Sequence, residues 1–302
     1  MNDFLDPIAE LINRKSSFSV LSGSDCVGFL NRSLTSDISE LTHMERRDSV
    51  LCDANGKVID MVTLCRLDDK ILMLTQSQVD DTRKHLQSGI SWSEDVSIID
   101  GNNALTHLTL VGMHWQRALL GIGFDPTELD GNEWVEFGNM LFSLNRVYGV
   151  DVIDIALPTN EVMDATSALI ENGCREMDDD RWYYVRTNTG LVTIEEASNR
   201  IPAQVSLGDL VDLKKGCYPG QEIHARMDSR GKLLKQVVRI RGDKRIDVGK
   251  YKVDGIGRLH VISSTEYNGK SIGYAMVPIK DSIEGQFDID GNVIRIENFS
   301  SP

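Results

Sequence analysis

The chain has 302 residues, of which 41% are hydrophobic and 26% are charged, and its formal net charge is −14. This length favours two or three domains, and the acidic balance argues against general nucleic-acid binding. No apolar run approaches the roughly 20 residues that a membrane span requires. The first residues lack the basic and apolar segments of an export signal, so we expect a cytoplasmic protein.

The N-terminal region predicts a strand, a helix and a hairpin. Residues 18–21 alternate like a strand, and Ser24 or Asp25 can cap the helix that follows. The Asn55-Gly56 pair precedes an apolar run at residues 58–64, and this combination is a strong hairpin signal.

Strands and helices alternate in the next part of the chain. The predicted strands cover residues 71–75, 106–112 and 150–157, and the predicted helices cover residues 79–86, 114–120 and 162–170. We expect Thr159 or Asn160 to cap the last of these helices and Gly173 to end it. This order favours α+β layers over a doubly wound sheet, and no Gly-x-Gly-x-x-Gly follows a strand.

After residue 231 the pattern changes to short strands at close spacing. These strands are predicted at residues 237–240, 251–253, 259–262 and 272–277 and in a hairpin at 287–294. Such spacing is typical of an antiparallel β-barrel or sandwich. We therefore divide the chain into a first region, residues 1–231, and a C-terminal β domain, residues 232–302.

The five cysteines predict neither a metal centre nor a disulfide framework. They are scattered singly without a Cys-x-x-Cys pair, and the six histidines are not spaced as metal ligands near them. This argues against a zinc site, a self-contained iron–sulfur site and a disulfide framework. The cysteines are Cys26, Cys52, Cys65, Cys174 and Cys217.

Residues 182–190 form an aromatic cluster that ends in Arg and then Gly. Trp182, Tyr183 and Tyr184 are followed by Arg186 and Gly190. Such a cluster can present a flat face and a guanidinium to a planar, anionic ligand. A buried aromatic strand is the alternative, and spacing alone leaves both open.

A second cluster combines a thiol with lysines and two glycines. It is the run Lys215-Gly216-Cys217-Tyr218-Pro219-Gly220-Gln221-Glu222, which continues through His224-Ala225-Arg226 to Arg230-Gly231. Pro219-Gly220 predicts a tight turn that displays Cys217 and Tyr218. Lys214 and Lys215 would favour the thiolate of Cys217 if the fold keeps them near it. The alternative is an ordinary turn that contains a half-buried cysteine.

The charge around this cluster is locally reversed. Residues 214–245 hold ten Lys and Arg against three acidic residues. One basic segment in an acidic protein suggests an anionic ligand beside the cluster, such as a polyglutamylated folate tail, a phosphate or an RNA backbone. A solvated basic hairpin without a ligand is the alternative.

The run K-G-C-Y-P-G-Q-E-I-H-A-R-x-x-x-R-G closely resembles the signature of the YgfZ branch of the glycine-cleavage T-protein superfamily. That branch contains folate-binding proteins that support iron–sulfur cluster assembly, and the T-protein itself lacks the Cys at this point. The resemblance implies a three-lobed α+β fold, with two interleaved α+β lobes and a C-terminal antiparallel β-barrel. The signature and residues 182–190 would face a central folate-sized hole.

The resemblance also implies roles for single residues. Cys217 would be the working thiol, Lys215 would tune it, and Gln221 and Glu222 would brace the loop. The resemblance places a folate-contacting Trp at Trp182. The residues expected to bind folate are Trp182, Arg186, Asn188, Tyr218, Gln221, Glu222 and Arg226.

This chain departs from the family pattern at three places. Asn188 stands where the superfamily usually shows the Glu of Arg-x-Glu-x-Gly, and an amide offers one acceptor where a carboxylate offers two. Glu195 and Glu196 are nearby carboxylates. Asp80, Asp81 and Thr82 are the nearest positions to the T-protein's catalytic Asp, and none is assigned that role. Gly149-Val150-Asp151 replaces the Thr-Gly-Glu of T-proteins.

The resemblance predicts a tetrahydrofolate-binding accessory protein for iron–sulfur cluster assembly or repair. Its effects on tRNA modification would be indirect, and its partners would be folate and iron–sulfur assembly factors or client iron–sulfur enzymes. No metal site, no direct nucleic-acid binding and no membrane contact are expected. One alternative is a tetrahydrofolate-dependent aminomethyl or methyl transferase, so enzyme activity stays open. The other is an interaction module that has lost folate.

Overall fold

The computed structural model describes residues 4–77, 81–231, 233–279 and 283–298. Three sheets and several short helices build the molecule. The strands are β1 (Ala9–Arg14), β2 (Ser17–Ser22), β3 (Arg46–Cys52), β4 (Val58–Arg66), β5 (Lys70–Thr75), β6 (Ser97–Asp100), β7 (Leu105–Val111), β8 (Trp134–Phe137), β9 (Met140–Val147), β10 (Val150–Pro158), β11 (Cys174–Glu176), β12 (Lys235–Gly242), β13 (Gly249–Val253), β14 (Gly257–Tyr267), β15 (Lys270–Pro278), β16 (Gly285–Ile289) and β17 (Asn292–Glu297). The helices are α1 (Cys26–Ser33), α2 (Asp81–Ser88), α3 (Trp115–Gly121), α4 (Val162–Glu171), α5 (Asp179–Thr189), α6 (Ile194–Ala197) and α7 (Gln221–Arg230).

The first two sheets are interleaved in the chain. Sheet one has the order β11-β1-β7-β10-β9-β8, and sheet two has the order β3-β4-β5-β2-β6. The chain leaves sheet one after β1, completes sheet two, and returns at β7 to pair antiparallel with β1. This confirms the predicted pair of interleaved α+β lobes. Each lobe has its own apolar core, around Leu110 and Phe142 in the first and around Phe29 and Leu64 in the second.

The predicted hairpin joins β3 to β4. Its turn places Gly56 at φ +70°, a left-handed conformation that glycine adopts without steric cost. The carboxylate of Asp53 accepts hydrogen bonds from the backbone N–H groups of Asn55 and Lys57, at 2.9 and 2.8 Å. These bonds fix the turn in the shape that the signature segment later contacts.

The C-terminal strands form a third, antiparallel sheet that curls into a partly closed barrel. Its order is β13-β14-β15-β12-β17-β16, and its core includes Val238, Leu259 and Ile294. Strand β15 is buried almost throughout, because its other face packs through Tyr274 and Met276 on the second lobe and on residues 192–210. The predicted antiparallel β domain is confirmed.

Two local expectations are corrected. Residues 182–190 belong to helix α5 and its C-terminal cap, so the alternative of a buried aromatic strand is wrong. Asp178 caps this helix by accepting a hydrogen bond from the N–H of Arg181, and Gly190 ends it at φ +89°. These end signals override the strand preference of the aromatic residues. The helix predicted at 162–170 begins at Val162 as expected, but Glu161 stands at its N-cap position instead of Thr159 or Asn160, because residues 159–161 form a 3₁₀ turn.

No helix in the described part of the chain is long and apolar enough to cross a membrane. The predicted helix at 79–86 appears as α2, and residues 79 and 80, with the candidate Asp80, lie outside the described residues.

Candidate functional site

Lys215 anchors the signature loop to the second lobe. Its buried ammonium donates to the backbone carbonyls of Asn31, Leu34 and Ser36, at 2.5, 2.8 and 2.6 Å. These carbonyls lie in the last turn of α1 and just beyond it, where a cation complements the negative end of the helix dipole. Burial lowers the pKa of Lys215 to about 8, against the opposing charge of Asp37. Lys215 therefore acts on the backbone of another lobe.

A second contact locks the signature onto the β3–β4 hairpin. Gly220 has φ +83°, and a Cβ added there would lie 2.3 Å from the Cα of Gly56. His224 Nε2–H donates to the carbonyl of Gly56 at 2.8 Å, so Nδ1 is the acceptor that faces the hydroxyl of Tyr218 at 3.4 Å. Burial lowers the pKa of His224, which keeps the ring neutral for this arrangement. The glycines are required for close packing between segments.

Cys217 lies on the exposed side of this clamped loop. The other four cysteines are buried, and burial raises their pKa values to about 11 or 12. The amide of Gln221 donates to the carbonyl of Lys215 at 3.3 Å and so braces the loop. Glu222 and Arg226 are exposed on α7. The fold thus presents one thiol on a fixed turn.

The basic segment at 214–245 does not form one continuous patch. The Lys215 ammonium donates to backbone carbonyls. Arg239 and Arg241 both form ion pairs with Glu297, at 2.7 and 3.1 Å. Arg239 also donates to the carbonyl of Asn188 at 2.6 Å, at the end of α5. Four of the ten cations in this segment, Lys215, Arg239, Arg241 and Arg245, bind other groups of the protein. This weakens the expectation that the whole segment serves an anionic ligand beside the loop.

Two adjoining cavities lie away from the signature. The central cavity, of about 330 Å³, is lined by polar side chains that include Arg14, Ser16, Arg46, Gln76, His107 and Asp154. The side cavity, of about 280 Å³, is lined by a second set that includes Arg14, Gln76, Trp182, Tyr183, Arg186 and Glu195. Arg14 and Gln76 line both, so the two cavities share a wall.

A buried polar network forms one wall of the central cavity. Asp154 accepts from Arg46 at 2.8 Å and from His107 Nε2 at 3.1 Å, and His107 Nδ1 faces the hydroxyl of Ser16 at 2.9 Å. Burial would raise the pKa of Asp154, but Arg46 and His107 outweigh it and hold this pKa well below its usual range. Burial also lowers the pKa of His107, so a neutral imidazole links the Ser16 hydroxyl to a carboxylate. This arrangement can accept and pass on a proton.

Arg186 binds two carboxylates on the wall of the side cavity. Its guanidinium donates to Glu196 at 2.9 Å and to Glu195 at 2.7 Å. Glu196 is fully buried and also accepts from Thr193 and Ser263, whereas the Glu195 side chain is 55% exposed and lines the cavity. Burial, followed by the charge of Glu196, raises the pKa of Glu195. Arg186 therefore positions Glu195 and is itself charge-balanced.

Trp182 is mostly buried and carries Arg14 on its ring. The Cζ of Arg14 lies 4.5 Å from the ring centroid of Trp182. Burial, against the opposing charge of Asp154, lowers the pKa of Arg14 to about 10. The aromatic face and a cation meet where the two cavities join.

Comparison with known proteins gives a consistent result. No protein-family model matches the chain. It is 25% identical over 224 residues to a tRNA-modifying protein YgfZ from Sodalis glossinidius, which covers 70% of this chain and 64% of that protein. It is 23% identical over 303 residues to an aminomethyltransferase from Exiguobacterium sibiricum, which covers 93% of this chain and 82% of that protein. This chain thus matches slightly less than two thirds of the YgfZ protein's length.

The fold is that of the glycine-cleavage system aminomethyltransferase T from Bartonella henselae. Its crystal structure superposes with a TM-score of 0.84 at 17% identity, covering 99% of this chain and 87% of that one. The chain resembles the YgfZ branch of the glycine-cleavage T-protein superfamily. The predicted resemblance and the predicted fold class are both confirmed.

The residues predicted for the site of this YgfZ-like chain fall into two groups. Trp182 and Arg186 line the side cavity. Five residues lie on the signature loop and α7 and line neither the central nor the side cavity: Lys215, Cys217, Tyr218, Glu222 and Arg226. Gln221 lies with them. The expectation that the signature faces the same hole as residues 182–190 does not hold for these two cavities.

Asn188, the departure from the family pattern, is turned away from both cavities. Its amide donates to the carbonyl of Tyr184 at 2.6 Å, and the residue is buried in α5. It lines neither cavity, whereas Glu195 lines the side cavity. In this YgfZ-like chain Glu195 of α6 therefore supplies a carboxylate to the wall of the side cavity, which Asp179 at the start of α5 also lines.

Sequence reasoning missed Arg14, His107 and Asp154. His107 and Asp154 lie on the paired strands β7 and β10, each among apolar neighbours. A charged or ionisable residue inside a buried strand usually has a functional or structural partner, and this signal was present in both strands. Within the described residues, no group of three or more His, Cys, Asp or Glu could hold a metal ion.

Proposed function

We propose that this chain is a tetrahydrofolate-binding accessory protein of the YgfZ kind. The observation that carries the proposal is the pair of joined cavities. Trp182 and Glu195 line the side cavity, and Arg14 lines both cavities. A planar, nitrogen-rich ring with an anionic tail matches an aromatic face, a carboxylate acceptor and a cation. The relatives that resemble the chain over most of its length include an aminomethyltransferase, and the resemblance to that superfamily implies folate.

Glu195 supplies the carboxylate that is absent at Asn188. One oxygen of Glu195 accepts from Arg186, and no other hydrogen bond to the Glu195 carboxylate occurs within the described part of the chain. The free oxygen can accept a hydrogen bond from the aminopyrimidine edge of folate, as the Glu of the superfamily pattern would. The side cavity thus keeps an acceptor for the pterin although residue 188 is an amide.

We assign residues 1–231 to folate binding and residues 232–302 to the barrel that closes the site. Cys217, exposed on its clamped turn, serves as the working thiol toward iron–sulfur assembly factors or client iron–sulfur enzymes. The name of the Sodalis glossinidius relative, a tRNA-modifying protein, supports a role in tRNA modification. In this proposal that role is indirect, because the net charge of −14 argues against general nucleic-acid binding.

A second candidate is a tetrahydrofolate-dependent one-carbon transferase. It is favoured by the hydrogen-bonded series Ser16–His107–Asp154 on the wall of the central cavity. Transfer of a one-carbon group between amines requires a proton to be taken up or released, and a neutral His held by a carboxylate can do this. Formation of methylenetetrahydrofolate from an aminomethyl carrier or a methylated amine would identify this activity.

The first test is a titration with tetrahydrofolate, followed by tryptophan fluorescence and calorimetry. We expect saturable micromolar binding, which corresponds to roughly −8 kcal/mol. Trp182→Phe should weaken binding and remove most of the fluorescence change. Trp92→Phe is the matched control, because Trp92 is 99% exposed and lines neither cavity. No saturable binding by the unmodified protein would overturn the proposal.

The thiol role is tested separately with Cys217→Ala. We expect the variant to keep its fold and its tetrahydrofolate affinity, because Cys217 is exposed and lies outside both cavities. It should nevertheless fail to support iron–sulfur enzymes in cells that lack the protein. Full complementation by Cys217→Ala would exclude a working thiol.

A further inference from the structure

Arg14 is a cation at the junction of the two cavities that forms no ion pair within the described part of the chain. It is the last residue of β1, and its side chain lines both the central and the side cavity. No hydrogen bond or ion pair reaches its guanidinium from the described residues, and its contact is the ring of Trp182. Burial disfavours its charged form, as the lowered pKa of Arg14 shows.

The neighbouring arginines show how unusual this is. Arg46 binds Asp154 and Asp48, and Arg186 binds Glu195 and Glu196. Asp154, whose charge acts on Arg14, already accepts from Arg46, His107 and Thr109. A charge taken from water without compensating hydrogen bonds destabilises the fold, so folded proteins pair such groups or bind a ligand to them.

The contact with Trp182 explains why Arg14 stays in place although no acid among the described residues binds it, because its Cζ lies over the ring, 4.5 Å from the centroid. A cation held over an aromatic face is attracted by the ring itself and does not need its five N–H donors for an acceptor there. Those donors remain free to form the two parallel hydrogen bonds that a carboxylate accepts. Trp182 therefore holds Arg14 in a state that is ready for an anion.

We infer that Arg14 is the anion-binding residue of the joined cavities and that it takes a carboxylate of the ligand. With the proposed function, on which this part rests, the carboxylate belongs to the glutamate portion of tetrahydrofolate. Trp182 then acts through Arg14, as the residue that positions the cation. Lys15, the next residue, is exposed and paired with Asp179, so it does not share this role.

The experiment compares Arg14→Met with Lys15→Met, two variants that each remove one positive charge at the side cavity. The ligands are tetrahydrofolate and 6-methyltetrahydropterin, which has the pterin ring but no carboxylate. We expect Arg14→Met to weaken tetrahydrofolate binding by about tenfold to a hundredfold, the range of a lost charge-assisted hydrogen bond. Binding of 6-methyltetrahydropterin should change by less than about twofold, and Lys15→Met should change neither.

Stability separates a binding role from a structural one. Because no acid among the described residues pairs with the Arg14 charge, Arg14→Met should melt at the same temperature as the unmodified protein or higher when no ligand is present. A lower melting temperature of Arg14→Met would mean that Arg14 supports the fold. Equal loss of affinity for both ligands in Arg14→Met would mean that Arg14 does not bind the carboxylate. An equal loss of tetrahydrofolate affinity in Lys15→Met would mean that the effect comes from long-range charge. Each of these outcomes overturns the inference.

Failure of the proposed function is distinguished by a third ligand. If the unmodified protein binds neither tetrahydrofolate nor 6-methyltetrahydropterin, the folate proposal fails. The protein is then titrated with p-aminobenzoylglutamate, which carries the carboxylates without the pterin. Binding that disappears in Arg14→Met supports the anion site, whereas absent binding, or binding that Arg14→Met retains, overturns it.

Discussion

The tight packing of Gly220 against the β3–β4 hairpin gives the sharpest prediction. Gly220 has φ +83°, and a Cβ at this position would lie 2.3 Å from the Cα and 2.5 Å from the backbone nitrogen of Gly56. The obstructing atoms are backbone, so no side chain can rotate away. Gly216, four residues earlier in the same loop, is exposed and has no atom within 4 Å of an added Cβ. The two glycines form a matched pair.

The expected changes in the free energy of unfolding differ between Gly220→Ala and Gly216→Ala in sign as well as in size. An alanine in the left-handed region costs about 1–2 kcal/mol, and overpacking against fixed atoms costs about 1–3 kcal/mol more. Gly220→Ala should therefore lower the free energy of unfolding by about 2–5 kcal/mol, a large share of the 5–15 kcal/mol typical of folded domains. Gly216→Ala should leave it unchanged or raise it by up to about 1 kcal/mol, because alanine restricts the unfolded chain.

Thermal unfolding monitored by circular dichroism measures both variants. At about 2–4 °C per kcal/mol for chains of this size class, Gly220→Ala should lower the melting temperature by roughly 10 °C. Gly216→Ala should shift it by no more than a few degrees. Equal shifts in the two variants would refute the packing of the signature on the hairpin, and with it the view that Gly220 is there for close approach.

Three other predictions concern the thiol and the pterin acceptor. Under native conditions a thiol reagent should modify one of the five cysteines, and Cys217→Ser should abolish this reaction, as mass spectrometry of the intact protein would show. Glu195→Gln should weaken tetrahydrofolate binding measured by calorimetry. In the unmodified protein, binding should weaken as the pH falls through the raised pKa of Glu195, because the protonated acid is a poorer acceptor, and Glu195→Gln should lose this acidic limb. Asn188→Glu should not strengthen folate binding and should lower the melting temperature, because it removes the bond to Tyr184 and buries a carboxylate; a gain in affinity would restore the importance of residue 188.

The elements that the sequence predicted well carry their signal locally. The Asn55-Gly56 turn and the closely spaced strands after residue 231 depend on turn residues and period-2 alternation, and both were found as expected. Helix α5 was left open because Trp182, Tyr183 and Tyr184 favour strands. The capping residues at its two ends decided the outcome.

The site was harder to predict because its members come from distant segments. Arg14 and Trp182 meet through the packing of β1 against α5, and His107 and Asp154 meet through the register of β7 and β10. Sequence spacing does not contain these contacts. Closeness to Cys217 in the chain suggested that Lys215 tunes the thiol, which stays a prediction. The structure adds a contact that spacing could not show, because the Lys215 ammonium is held by carbonyls of another lobe.

The chain segment between α1 and β3 contacts both Lys215 and the wall of the central cavity. This shared contact determines how variants of the signature must be interpreted. Ser49 lines the central cavity, and its hydroxyl accepts from the N–H of Ser36 at 2.9 Å. The carbonyl of Ser36 in turn accepts from Lys215 at 2.6 Å. Removing the Lys215 ammonium would leave buried carbonyls of this connection without a donor, so it would disturb the cavity wall together with the loop. Loss of function in a Lys215 variant is therefore no evidence for thiol activation. Cys217 is exposed and forms none of the contacts of Lys215 and Gly220 that hold the loop. Its substitution therefore tests the thiol without disturbing the fold.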